Sequence, residues 1–241
     1  MKLKKAIITG ASSGLGQEIA IALSEQGYEV GLIARREQKL KETAQKCSNK
    51  TYILSCDVTE YEKTIEQIKE LIDKMGGCDL FVIAHGIGPL NPLLRWKRSK
   101  EVIDTNVSGF TAIAHVAFRY FRKVRKGHLV SISSTASIRG TSASPDYHAS
   151  KAYISNYMQG LRKLAWNLKM PIYLTDIKPG FIDTPMLKGL DGLLWVCSAR
   201  KAALQIVNAI KKKKKMVYIT KRWNIIAWLL KYTPDFIYHR I

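Results

Sequence analysis

Acidic residues are scarce in this chain. Its 241 residues include 19 Asp or Glu against 39 Lys or Arg, a formal net charge of +20. Such an excess suits nucleic acid, an anionic membrane surface or anionic ligands, and a lysine-rich proteome alone also produces it. Residues 199–241 hold eleven Lys or Arg and one acid, Asp235, so the excess gathers at the end. Cysteine is also sparse: Cys47, Cys56, Cys78 and Cys197 are scattered and form no Cys-x-x-Cys pair. That excludes a redox or zinc framework, and no metal site is expected. The apolar run near Met1 is cut by Gly10 and Ser12-Ser13, too short for a secretory leader. Reduced thiols and a cytoplasmic location follow as expectations. No apolar stretch reaches about 18 residues, so no bilayer-spanning helix is expected. Repeats, linkers and low-complexity segments are missing too. Nothing resembles groove-reading or base-stacking organisation, and no nucleic-acid partner is expected.

What is present is regular alternation. Hydrophobic residues make up 46% of the chain, enough for a substantial core. Continuous apolar runs predict strands at Lys4–Thr9, Glu29–Ala34, Thr51–Cys56, Leu80–Ala84, His128–Ile132, Ile172–Ile177 and Met216–Thr220. Helical patterns lie between them: Leu15–Gln26, Glu37–Lys46, Glu60–Met75, Ser99–Arg122, Tyr147–Leu168 and Ala199–Lys213. Strands alternating with helices imply βαβ units, and unbroken apolar strands imply a parallel sheet covered on both faces. The fold class expected is α/β, one doubly wound domain over residues 1–221 with seven parallel strands, followed by a tail, 222–241. Ligands of such sheets bind at the carboxyl ends of the strands.

The motifs fall at those ends. After the first strand comes Thr9-Gly10-Ala11-Ser12-Ser13-Gly14-Leu15-Gly16, leading into a helix. Glycines allow a tight turn and close backbone approach, and the helix N-terminus offers free N–H groups to a pyrophosphate. No Gly-Lys-Ser/Thr follows, so it is not a P-loop. The second strand ends in Arg35-Arg36, with no acid for a ribose 2′-hydroxyl. Two forked cations favour a 2′-phosphate, hence NADP(H) over NAD(H), with a solvated pair at a helix start as the alternative. Asp57, before Val58, is placed to accept from an adenine amino group or to cap a turn.

Tyr147 and Lys151 stand four apart, on one face of a helix, with Ser134 thirteen residues upstream. A fixed cation beside a phenol lowers its pKa and makes it a proton donor. Together, Thr9–Gly16, Asp57, Asn106, Ser134, Tyr147, Lys151 and Pro179-Gly180 resemble the short, single-domain branch of the short-chain dehydrogenase/reductase family, over residues 4 to 220. The resemblance implies a Rossmann-type fold and hydride transfer between a nicotinamide and a carbonyl or alcohol carbon. It implies Tyr147 as general acid, Ser134 as orienting donor (Ser133 being the alternative serine) and Lys151 on the nicotinamide ribose. Asn106 would hold a water that resupplies protons. Gly10, Ser12, Ser13, Gly14, Leu15, Gly16, Arg35, Arg36, Asp57, Val58, Ala84, Gly86, Tyr147, Lys151, Pro179, Gly180, Ile182 and Thr184 would line the cofactor. One departure stands out. The family's Asn-Asn-Ala-Gly after the fourth strand reads Ile83-Ala84-His85-Gly86, which puts an inter-strand asparagine hydrogen bond in doubt. His85 takes the alanine position, beside the cofactor.

Residues Pro185 to Ser198 occupy the position of the family's variable substrate lid. They are apolar (Met186, Leu187, Leu190, Leu193, Leu194, Trp195), which suits a greasy or lipid-linked substrate or a lid folded on its own core. Lys211–Lys215 suits a helix C-terminus. The tail is aromatic and apolar with basic flanks, helical before Pro234. It would lie on an anionic membrane surface, at the inner face, or pack on the domain or a partner subunit. A homodimer or homotetramer through the two long helices is implied by the resemblance. The rival to an oxidoreductase is a non-catalytic NADP-binding or membrane-surface protein on the same fold.

Overall fold

The computed structural model describes residues 3–187 and 192–240. Seven parallel strands form one sheet: β1 (Lys4–Thr9), β2 (Tyr28–Ala34), β3 (Thr51–Ser55), β4 (Leu80–Ile83), β5 (Gly127–Ile132), β6 (Ile172–Pro179) and β9 (Met216–Ile219). Their order is β3-β2-β1-β4-β5-β6-β9. The chain therefore reverses its direction of winding between β1 and β4, whose carboxyl ends diverge into a crevice. Each strand pairs in parallel register, Thr9 with both Ile33 and Ile83 at the crevice edge. Ile7, Ile8, Leu32, Ile33, Phe81 and Val82 are fully buried, which is why these strands read as unbroken apolar runs.

Helices cover both faces. On one, α1 (Gly14–Glu25) and α7 (Ala199–Lys211) bury Ile19, Leu23, Ile206 and Ile210 against Ile8, Leu32 and Val130. On the other, α3 (Tyr61–Met75), α5 (Phe110–Lys123) and α6 (Pro145–Asn167) bury Ile68, Phe110, Phe121 and Met158 around Ile7, Phe81 and Leu129. In α3 the buried residues Thr64, Ile68, Leu71, Ile72 and Met75 recur at helical spacing, and Gly76 ends it at φ +66°. The short helix α2 (Glu37–Gln45) buries only Leu40 and Thr43.

Three features depart from the sequence pattern. The predicted helix Ser99–Arg122 is composite: α4 (Trp96–Val102), a π-helical stretch Ile103–Gly109, then α5. Periodicity cannot register a widened turn, because the apolar stripe persists through it. A second, two-strand parallel pair, β7 (Ile182–Asp183) with β8 (Cys197–Ser198), is too short to leave a sequence signature. The tail forms α8 (Arg222–Tyr232) and α9 (Asp235–Tyr238), and α8 buries Trp223 and Ala227 against the domain. Of the expected lid, residues 188–191, including Leu190, lie outside the described residues. No described helix is long and apolar enough to cross a membrane.

Candidate active site

The crevice between β1 and β4 is built by glycines that tolerate no side chain. Gly10 has φ +70°, and a Cβ there would lie 2.9 Å from the His85 backbone. At Gly16 a Cβ would lie 2.4 Å from the Gly10 carbonyl oxygen. At Gly14, with φ +57°, a Cβ would lie 3.2 Å from the Thr184 side chain, so the turn after β7 closes over the loop. Ser13 leads into α1 without a side-chain cap, and the first turn of α1 has no acid. Its N–H groups and positive dipole end therefore remain available to an anion, and Ser12, Ser13 and half-buried Leu15 frame the same turn.

Arg36 reaches back over this turn, donating from Nη2 to Ser12 Oγ at 3.0 Å and Ser13 Oγ at 2.8 Å. Arg35 takes another direction, 3.6 Å from Asp57 Oδ2. Asp57 Oδ1 accepts from the Thr59 N–H at 3.0 Å and hydroxyl at 2.8 Å. Burial pushes the Asp57 carboxyl up, but the Thr59 bonds and Arg35 outweigh it and hold it below the usual range. Val58 is buried, its carbonyl 2.9 Å from where a Cβ on Gly109 would stand. These groups fit a dinucleotide: a glycine cradle, an uncapped helix N-terminus and a cation across it.

The replacement of asparagine after β4 is answered by His85. Its Nδ1 lies 2.8 Å from Thr9 Oγ1, and that hydroxyl also accepts from the Ala84 N–H at 3.1 Å. His85 thus supplies the inter-strand bond in question. Burial, then the nearby Lys151 charge, push its pKa down to about 4. A neutral imidazole fixed on Thr9 is a strut between strands. The sequence pattern alone gave no signal for this pairing.

The proton-handling group sits one strand over. Ser144 precedes α6 and Pro145 starts it, pre-setting the backbone of the first turn. Tyr147 and Lys151 follow on one face, with Lys151 Nζ 5.6 Å from the Tyr147 ring centre. Lys151 is buried and donates to the Ile132 carbonyl at 3.0 Å. Burial brings its pKa down to about 8, opposed by Asp176. Tyr147 does not show the lowered pKa expected from its lysine: burial raises it, and a hydrogen bond with Ser134 opposes the rise. The ammonium is itself desolvated and turned to a carbonyl.

Ser134, extended and two residues beyond β5, accepts from the Ala136 N–H at 3.1 Å and donates toward the Pro179 carbonyl at 3.4 Å. Ser133, the alternative, points away and donates to Asp176 Oδ1 at 2.5 Å in the interior. Asn106 lies in the π-helical stretch. It bonds the Ile87 backbone in both directions, at 2.9 and 2.8 Å, and reaches Ser150 Oγ at 3.0 Å. A Cβ on Gly86 would lie 3.2 Å from Asn106 Oδ1 and 3.4 Å from Lys151 Nζ, so Gly86 borders both. Gly88 lies against the Tyr147 ring, where a Cβ would come within 3.0 Å. Pro179-Gly180 turns beneath α8, and Ile182 is buried in β7.

Two groups escaped sequence reasoning besides His85. Asp176 and Lys178, 3.3 Å apart and buried, join Ser131, Ser133, Ser137 and Ser155 in a polar cluster behind Lys151. Arg139 donates to the Leu230 and Thr233 carbonyls and to Asp235, and stacks 4.4 Å from the Tyr238 ring, tying the tail to the loop after Ser134. Neither has a local sequence signature, because each joins segments far apart in the chain.

A doubly wound sheet with a glycine turn at its switch point and a Ser–Tyr–Lys group beside it defines a dinucleotide-dependent oxidoreductase class. The family model described as short chain dehydrogenase matches residues 4–192. An uncharacterized oxidoreductase of Staphylococcus epidermidis is 34% identical over 194 residues, covering 79% of this chain and 83% of its own. One from Mycobacterium tuberculosis is 34% identical over 219 residues, 87% and 85% of the two chains. A short-chain type dehydrogenase/reductase from Mycobacterium marinum superposes with a TM-score of 0.82 at 22% identity, covering 91% and 95%. An alcohol dehydrogenase from Thermococcus sibiricus, complexed with 5-hydroxy-NADP, gives 0.78 at 22% identity over 90% and 96%. The chain belongs to the short-chain dehydrogenase/reductase family and is an oxidoreductase.

Proposed function

We propose that the protein is an NADP(H)-dependent reductase or dehydrogenase of an apolar or lipid-linked carbonyl/alcohol substrate. The observation that carries this is the convergence of Ser134, Tyr147 and Lys151 beside the glycine turn that Arg36 spans. The nicotinamide supplies the hydride. In the reducing direction Tyr147 gives its phenolic proton to the developing alkoxide, while Ser134 donates to the same oxygen and holds it in place. Lys151 keeps positive charge near the phenolate that remains and binds the ribose hydroxyls. Asn106, fixed by Ile87 and Ser150, orders the route by which protons return. Arg36, with Arg35 beside Asp57, favours the 2′-phosphate. The Thermococcus relative's NADP-derived ligand agrees with that preference.

The substrate end is apolar and exposed: Met186 is 44% accessible, Leu194 69% and Trp195 44%. That supports a greasy substrate entering beside Met186, Leu194 and Trp195. An intact Asn106, Ser134, Tyr147 and Lys151 set argues against a non-catalytic role. A cytoplasmic location and a homodimer or homotetramer are part of this reading, the oligomer supported by a shallow groove of about 470 Å³ lined by Tyr61 and Ile65 of α3, by Val107 and Thr111, and by Tyr153 of α6. Attachment at an anionic membrane surface through the tail is also part of it, supported by the exposed aromatic face of α8.

Tyr147→Phe tests the assignment. Binding of NADPH, followed by fluorescence, should be retained while turnover falls by roughly two to four orders of magnitude. Near-normal turnover would refute Tyr147 as the acid.

A further inference from the structure

The cations that hydride transfer leaves unused converge on a second place. A groove of about 440 Å³ runs along edge strand β9, between α7 and the start of α8. Lys201, Lys212, Lys214, Lys221 and Arg222 line it, and no acid does. Its floor holds Val217 and Ile219, with Tyr218 and Thr220 alongside. Among the described residues, none of the five cations forms an ion pair, though one, Arg222, also stands 5.8 Å over the Trp195 ring. Neighbouring Lys211 and Lys213 are occupied, one with Gln26 and the other 4.0 Å over the Tyr173 ring. A helix C-terminus accounts for Lys211 and Lys212. It does not account for Lys214, Lys221 and Arg222, which lie beyond α7. Five like charges around one concavity repel each other and attract a multiply charged anion.

The surface beside the groove decides which anion. Arg222 opens α8 at the rim of the groove. From there α8 turns Trp223 and Ala227 inward and leaves Ile225, Trp228, Leu229 and Tyr232 exposed, Ile225 at 66% and Trp228 at 62%. Cations beside an exposed aromatic and aliphatic row match an amphiphile, head in the groove and chains along the helix. A free phosphate would fill the groove and leave the row unexplained.

We propose that the α7–β9–α8 groove binds the phosphate headgroup of an anionic lipid, with the exposed face of α8 seated at the acyl boundary. This deepens the membrane-surface part of the reading above and does not depend on the hydride chemistry. Lysines also protect edge strands from pairing with other chains, and the experiment separates that role.

Full-length protein is floated with phosphatidylcholine vesicles and with equimolar phosphatidylcholine–phosphatidylglycerol vesicles. A groove triple variant, Lys212→Ser/Lys214→Ser/Arg222→Ser, is compared with a charge-matched triple elsewhere, Arg122→Ser/Lys123→Ser/Lys126→Ser. Partition should require phosphatidylglycerol. It should weaken about a hundredfold in the groove variant, roughly fivefold per cation, and less than about threefold in the control, which lies away from the contact. Trp228→Ser/Tyr232→Ser should also weaken it. Equal losses in the two triples would overturn the groove assignment while leaving tail attachment standing. Binding of inorganic tripolyphosphate by the groove without flotation would overturn the lipid. Unchanged flotation with aggregation of the groove variant would reduce the lysines to edge guards. NADPH turnover of a water-soluble carbonyl should stay within about twofold in the groove variant. An inactive wild type that still floats in a groove-dependent way would count against the oxidoreductase reading alone.

Discussion

At Arg36 and Arg35 two adjacent residues of one type have different situations. Arg36 reaches Ser12 and Ser13 from its Nη2, across the glycine turn, whereas Arg35 leans on Asp57 and is mostly exposed. The proposed 2′-phosphate contact therefore rests more on Arg36. Exchanging Arg35 for Asp and Arg36 for Ala should move the ratio of kcat/KM from NADPH toward NADH, by about tenfold to a hundredfold for loss of one or two charged hydrogen bonds. Steady-state kinetics with both cofactors checks this, and an unmoved ratio would remove the phosphate contact. The same scale holds the clearest limit on sequence reading. Tyr147 and Lys151 are legible from their helical spacing, and Ser134 and Asn106 only through the resemblance to the family's motifs. His85 was not, because its partner Thr9 lies 76 residues away and only the pairing of β1 with β4 brings them to 2.8 Å.

Among the elements, the α8 segment depends most on a single neighbour. Gly180 lies under the Trp223 ring, so close that a Cβ would stand 2.0 Å from it. Trp223 also meets Phe181 edge-on at 5.3 Å and Trp195 at 6.3 Å. The Pro-Gly turn thus does two things: it ends β6 near Ser134 and it seats the tail. Gly180→Ala should lower stability by about 2 kcal/mol or more through overpacking, and Trp223→Ala by a comparable amount through lost burial. The double variant should be less destabilised than the sum, because the second change removes the clash created by the first. Denaturant unfolding of the three variants tests this, and strict additivity would mean the contact is not made. Sequence pattern found the helix before Pro234 but left open what covered it. The answer is split: the face of Trp223 and Ala227 packs on the domain, and the other face is exposed.

The whole molecule carries a net charge of +20 and two buried histidines held neutral. Burial lowers His85 and His128 to about 4, each assisted by a nearby lysine, Lys151 and Lys213 respectively. In the unfolded chain both titrate near 6.5. Between those values the unfolded state binds protons that the native state refuses, so stability falls as pH drops. It is intact above about pH 6.5, and its loss is complete below about pH 4, up to about 3 kcal/mol per histidine. Urea unfolding at pH 7 and pH 4.5 should show the loss. His128→Gln, which retains a hydrogen-bonding group for Thr175, should diminish it by roughly half. An equal pH dependence in the variant would assign the effect to other groups. The positive charge works in the same direction, since protonating carboxylates removes the few anions that offset it.

By itself the sequence determined the order of strands and helices, the glycine turn after β1, the Arg pair after β2 and the placement of the Ser–Tyr–Lys group. All of these are set by neighbours within a turn or a strand, where periodicity, glycine content and spacing act directly. The tertiary structure decided what depends on distant segments meeting. It replaced a missing asparagine with a His85–Thr9 bond, opened a π-helical stretch at Asn106 and buried Asp176 and Lys178 behind Lys151. It also turned Arg36 rather than Arg35 over the glycine turn, and gathered basic residues from α7, the segments flanking β9 and α8 around one groove. Pairing across a sheet costs chain entropy and is repaid by burial and hydrogen bonds between remote residues, and no local pattern records those partners.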